Sequence, residues 1–154
     1  MHEERHMTAV EDRQRWLGLL NRATREQLDK AWETLPLPRP DYTLLKRPET
    51  GLVMAQGRAG GAGRRFNLGE ISVTRAVAGL GEFIGQGYVL GRDHRRAELV
   101  AVFDALLQAG RHRDHVVTQL LEPVRESLNL RAEEERRKAD ATRVEFFTLA
   151  RESQ

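Results

Sequence analysis

Apolar positions along this chain change period twice, from helical spacing to alternation and back to helical spacing. Trp16, Leu17, Leu20 and Ala23 recur every three or four residues and predict a short first helix. Thr24, with Gln27 three residues on, has the form of a capping box, in which each side chain satisfies the other's backbone N–H. It opens a second helix whose apolar stripe is Leu28, Ala31, Trp32 and Leu35. Pro36, Pro38 and Pro40 then impose an extended linker that no helix can cross.

From Asp41 the period is two. Tyr42 to Arg47 and Leu52 to Gln56 read as strands joined by the turn Pro48-Glu49-Thr50-Gly51. Ile71, Val73 and Val77 alternate with Ser72, Thr74 and Ala76 on a third strand, and Ile84 to Leu90 reads as a fourth, loosened by Gly85 and Gly87. Short connections favour an antiparallel meander. Asp93 is placed to cap the next helix, which carries Ala97, Val100, Ala101, Phe103, Leu106 and Leu107 and ends at Gly110. Val117, Leu120, Leu121, Val124 and Leu128 continue one stripe across Pro123, where a kink or a restart is expected.

The two ends differ from the middle. Residues 1–12 carry no periodic signal and are expected to be a disordered N-terminus, with residues 13–130 forming the core domain. Arg131 to Lys138 is almost wholly charged, and Ala139, Thr142, Phe146 and Leu149 then follow at helical spacing. Phe146 and Phe147 have little local core to enter, yet burying each ring is worth roughly 1.5–3 kcal/mol. Residues 131–154 are therefore read as a helical arm that either folds back on its own domain or docks on another chain, and the long charged lead-in favours docking, through Phe146, Phe147 and Leu149. The class is α+β: an antiparallel sheet of about four strands flanked by helices, with an extended C-terminal helix.

Composition narrows the function classes. The 154 residues are 40% apolar and 31% charged, which suits one modest core with much solvated helix. A net charge of +2 gives no broad electrostatic hold on nucleic acid. With no cysteine, disulfides, thiol nucleophiles and iron–sulfur ligation are excluded. The polar start Met1 to Met7 is unlike a signal peptide, and no window approaches the ~20 apolar residues of a membrane span, so a cytoplasmic protein is expected.

Candidate chemistry concentrates between Glu49 and Asp93. The run from Gly57 to Phe66 interleaves glycines with Arg58, Arg64 and Arg65. A phosphate-binding loop needs a helix after its last glycine, but Gly63 is followed by Arg64, Arg65 and strand-like residues. Two readings stay open: a glycine-permitted hairpin tip with arginines solvated or meeting a partner, or an anion contact through Arg58, Gly60, Gly61 and Gly63. Arg75 shares the parity of Ile71, Val73 and Val77, the expected buried face, where an unpaired guanidinium costs several kcal/mol. Arg75 is read as a structural ion pair, with Glu49, Asp93 or a residue of another subunit as candidate partners, as a strand end reaching solvent, or as an interface or anion contact. Arg92, just before a helix start, is a further candidate anion contact. His112 and His115 suggest no third metal ligand, and no catalytic residue is assigned.

The ordered set Glu49-Thr50-Gly51-Leu52-Val53, Gly60-Gly61-Ala62-Gly63, Phe66, Gly69-Glu70, Val73-Thr74-Arg75-Ala76, Gly91-Arg92-Asp93 and Ala97-Glu98 resembles the PhnG family, the G subunits of the bacterial carbon–phosphorus lyase system for phosphonate breakdown. Asp104-Ala105-Leu106 and Arg143-Val144-Glu145-Phe146-Phe147 extend the likeness over roughly residues 14–151. The resemblance implies a subunit of a core complex with the H, I and J subunits, and above all with I. With the ATP-binding L protein, that machinery lets a phosphonate displace adenine from ATP, giving an alkylphosphonate ribose 5-triphosphate. On that reading the chain binds no cofactor by itself, ATP is a substrate of the complex, and this subunit is a companion to catalysis. The rival readings are a stand-alone phosphate- or nucleotide-binding enzyme and a nucleic-acid module using Arg64 and Arg65.

Overall fold

The computed structural model describes residues 8–59 and 63–152, with side chains as far as Arg143. Helices α1 (Ala9–Leu20) and α2 (Arg25–Glu33) lead into strands β1 (Thr43–Arg58), β2 (Arg65–Leu80) and β3 (Phe83–Leu90). Helix α3 (His94–Ala109) and the short α4 (Arg113–Val116) follow, then a π-helical turn over Val117–Leu121 and the long α5 (Glu122–Glu152). The α+β class and the antiparallel meander are as the pattern predicts, with three strands in the order β1-β2-β3 rather than about four.

The missing strand is a merger. The two expected N-terminal strands form one sixteen-residue β1, and the expected turn at Pro48 to Gly51 runs straight through it. Proline there removes a backbone donor, which a central strand cannot spare. β1 is an edge strand, and its register shifts between Lys46 and Glu49 absorb Pro48 as an irregularity in the ladder.

Both early helices are fixed by reciprocal caps. Thr24 and Gln27 exchange the two bonds of the expected capping box, at 3.2 and 3.0 Å. An unexpected second box joins Thr8 and Glu11, so α1 begins at Ala9 and residues 9–12, assigned to a disordered end, are helical. Asp93 accepts the Arg96 N–H at 3.0 Å, and Gly110, in the left-handed region at φ 67°, closes α3. Ahead of Pro123 the helix bonds Glu122 N–H to Val117 O, a π-type step that adjusts the turn where proline has no N–H to offer.

α3 is the centre of the molecule. Ala97 and every residue from Leu99 to Leu107 are buried. One side lies on the sheet and the other meets α1 and α2, so a helix apolar all round is fully covered. Its approach to β3 depends on glycine: a Cβ at Gly85 would stand 1.8 Å from Ala101 O, and one at Gly87 2.1 Å from Ala97 O. The two glycines expected to loosen β3 instead form the floor on which α3 rests.

The free edge of β3 is closed by side chains. Gln86 N–H donates to Asp104 Oδ2 at 2.9 Å and Tyr88 N–H to Asn21 Oδ1 at 3.4 Å. Ile84 O accepts from Gln108 at 2.7 Å and Leu90 O from Arg96 at 3.2 Å. Edge groups satisfied in this way cannot template another strand. Arg96 also donates to Asn21 O and Ala23 O, at 2.7 and 2.6 Å, placing its cation against the carbonyl end of α1.

Candidate functional site

The sheet has one covered face and one open face. On β2, Thr74, Ala76, Ala78 and Leu80 point to α3 and are buried. The opposite parity carries Ile71, Val73, Arg75 and Val77, and register places Tyr88 across from Arg75 and Leu90 across from Val73. The open face exposes Leu45, Ile71, Ile84, Tyr88 and Leu90, all large and apolar or aromatic, each at 40% or more of its accessible area. Arg75, Gln86 and Glu49 lie among them, so the face presents large exposed apolar side chains interspersed with polar ones, a composition that suits an interaction surface.

This arrangement corrects the reading of Arg75. The side chain is exposed, on the side of β2 away from α3, although Val73 on that same side is buried and Val77 half-buried. Small residues caused the misassignment: the covered face pairs Ala76 with Gly87 and Ala78 with Gly85, and at those glycines α3 leaves no room for a Cβ. Arg75 lies between Glu49 on β1 and Tyr88 on β3. The Glu49 carboxylate is engaged by Lys46 at 3.2 Å. Glu49, Gly51, Val53, Val73, Arg75 and Tyr88 line a shallow depression of about 410 Å³ on this face.

The candidate anion contacts are not brought together. Arg58 and Gly63 lie at the far end of the β1–β2 hairpin, with Arg58 opposite Arg65. Arg65 and Arg75 are ten residues apart along β2, roughly 33 Å at strand rise, so one phosphate cannot span Arg58 and Arg75. Arg92 sits in the β3–α3 connection with its Nε 3.4 Å from Ser72 Oγ. Gly60 and Gly61 lie outside the described residues. Phe146, Phe147 and Leu149 fall on α5, but their side chains lie outside those described.

The polar groups most suggestive of chemistry are engaged in structure. Thr74, fully buried, donates to Gly91 O at 2.7 Å, so its oxygen accepts from Thr50 at 2.9 Å. The Thr50 hydroxyl proton is thus committed, and His94 Nε2 at 3.0 Å must be the donor to it. This chain pins β1, β2 and the start of α3 together. Asp104, also fully buried, accepts from Arg13, Trp16 and Gln86 N–H. Its hydrogen bond raises the Arg13 pKa, with partial burial opposing and charge attraction adding. The His115 Nε2 faces Thr34 Oγ1 and Ala31 O at 3.2 and 3.4 Å. Among the described residues, no group of three or more His, Asp or Glu side chains could hold a metal, and no helix is long and apolar enough to cross a membrane.

Sequence reasoning missed Ile84, Tyr88 and Leu90 as surface residues. The signal was present: in Ile84-Gly85-Gln86-Gly87-Tyr88, the small parity is the side a helix touches, and the large parity is the side left open.

Residues 11–152 match the family described as phosphonate metabolism protein PhnG. The chain is also 45% identical over 148 residues to the alpha-D-ribose 1-methylphosphonate 5-triphosphate synthase subunit PhnG of Rhizobium meliloti (strain 1021), covering 92% of this chain and 90% of that one. With the match running from the first turn of α1 to the end of α5, the chain belongs to the PhnG family.

Proposed function

We propose that this chain is the G subunit of an alpha-D-ribose 1-methylphosphonate 5-triphosphate synthase, and that its task there is assembly. The observation that carries the reading is the open sheet face, which leaves several large apolar side chains uncovered while the opposite face is sealed by α3. A domain that closes the edge of β3 with four side chains yet leaves Leu45, Ile84, Tyr88 and Leu90 in water has a second protein surface as its natural cover. The exposed run of α5 from Asn129 to Arg143 supports the same reading, since that stretch, unlike Val124 and Leu128 before it, has no domain core beneath it.

In this reading the companions are the H, I and J subunits, with I foremost, and the L protein supplies ATP binding. The complex lets a phosphonate displace adenine from the ribose of ATP in the cytoplasm. The chain itself contributes no catalytic group and binds no cofactor alone. Dispersal of Arg58, Arg75 and Arg92 speaks against the stand-alone phosphate-binding enzyme. Co-expression with the H, I and J subunits, followed by affinity capture on a tag carried by this chain, tests the proposal. Recovery of those subunits in fixed ratio is expected, and a chain recovered alone would reject it.

A further inference from the structure

β1 and β2 outrun the rest of the sheet. β3 accompanies β2 only from Val73 to Leu80, so Arg65 to Ser72 pair with β1 alone. This leaves a two-stranded ribbon roughly 25 Å long standing clear of the third strand. An unsupported hairpin is marginal in water. Yet this one is apolar along a whole face. Val53 lies opposite Ile71 and Ala55 opposite Gly69, and Gly57 sits under Phe66 and Leu68, whose carbons lie 3.0 and 3.2 Å from where a Gly57 Cβ would be. Phe66 and Leu68 are 46% and 66% exposed. The other face adds exposed Leu52 and Met54 near the base.

The tip adds a charge conflict. Arg58 and Arg65 are directly opposite each other, with Arg64 beside them. Like charges facing across a ladder destabilise it. Glu70 is the only acidic residue between Gly51 and Ser72, and it pairs with Met54, well back from the tip.

We propose that this ribbon inserts into a groove of a different subunit, one wall apolar and the far end lined by carboxylates. The inference rests on the assembly reading above and names the element that does the gripping. A phosphate or nucleotide would satisfy the arginines but leave the apolar face in water. Ribbon-to-ribbon pairing with a second copy of this chain would bring the same arginines together again, with only Glu70 of each ribbon to compensate. A heterologous partner with buried apolar area and acidic groups at one end satisfies both features.

Two double variants of the full chain test it in the co-expressed complex: Phe66→Asp with Leu68→Asp, and Arg58→Glu with Arg65→Glu. Every altered side chain is exposed, so the isolated variants keep the wild-type circular dichroism and thermal midpoint. Each is expected to weaken capture of the partner subunit by ~30-fold, the loss of one interface anchor. Wild-type recovery by both variants overturns the inference while leaving the assembly reading intact. A wild-type chain that captures no subunit overturns both. Self-association of the wild-type chain that Phe66→Asp abolishes would assign the ribbon to a second copy and contradict the proposal. So would binding of ATP or inorganic phosphate by the isolated chain that Arg58→Glu removes while capture persists.

Discussion

Arg13 of α1 and Asp104 of α3, 91 residues apart in the chain, form a two-point ion pair at 3.3 and 2.9 Å in which the carboxylate is wholly buried. The same carboxylate takes the Trp16 indole N–H at 2.8 Å and the Gln86 N–H at 2.9 Å. One side chain therefore ties α1, α3 and the edge of β3 into a unit. A buried charge is tolerable only when paired and hydrogen-bonded on all sides, and here it is.

Removing Arg13 leaves Asp104 short of its countercharge. Arg13→Ala is expected to cost about 3–5 kcal/mol in urea unfolding, and Trp16→Phe, which removes one bond to the carboxylate, about 1.5–3 kcal/mol. A change below 1 kcal/mol in Arg13→Ala, on the order of an exposed surface pair, would mean that the pair is solvated.

Gly85→Ala and Gly87→Ala each drive a methyl into an α3 carbonyl, since the Cβ would stand about 2 Å from backbone oxygen. Backbone cannot swing aside as a flexible side chain does, so each is expected to lower stability by at least about 1–3 kcal/mol. Gly51→Ala, with nothing within 4 Å, is the matched control on the same sheet and should melt close to wild type. Equal melting temperatures for all three would contradict the close contact of helix and strand.

Tyr42 donates to Glu98 Oε1 at 2.6 Å. Burial first, then this hydrogen bond and the charge of Glu98, raise its pKa above 10.0, with Arg95 acting in the opposite direction. The folded state thus holds the phenolic proton more tightly than the unfolded state. The stabilisation is complete below about pH 10 and disappears as the pH rises through the raised value. Tyr42→Phe should therefore flatten the alkaline fall in thermal midpoint, and an unchanged alkaline limb would contradict the linkage.

Residues 129–143 of α5 are exposed throughout. Truncation after Asn129 should leave a domain with wild-type unfolding behaviour that no longer assembles with partner subunits. Aggregation or a large drop in thermal midpoint would place the arm in the domain's own core instead.

The helices were legible because their signals are local: a Thr24–Gln27 box, an aspartate cap at Asp93 and a glycine stop at Gly110 depend on neighbours in sequence. The sheet was less so. Whether Pro48 breaks a strand or rides in one depends on whether that strand is an edge, which is a tertiary fact. The face of β2 was misread because hydrophobicity was taken as the mark of the inside. Burial against α3 instead selects for small Ala76 and Ala78 with Gly85 and Gly87 beside them. Asp104 carried a signal in being the lone carboxylate inside the apolar run from Leu99 to Leu107, but its partners Arg13 and Trp16 could be named only from the fold.

The open sheet face is the claim on which the assembly role stands, and hydroxyl-radical labelling of the free chain and of the captured complex measures it directly. Tyr88, Ile84, Leu90 and Leu45 should oxidise readily in the free chain, as their exposure requires, and become protected in the complex, while Val10 on α1 serves as an exposed reference. Equal labelling of those four side chains in both states would show the face bare in the assembled protein and contradict the account.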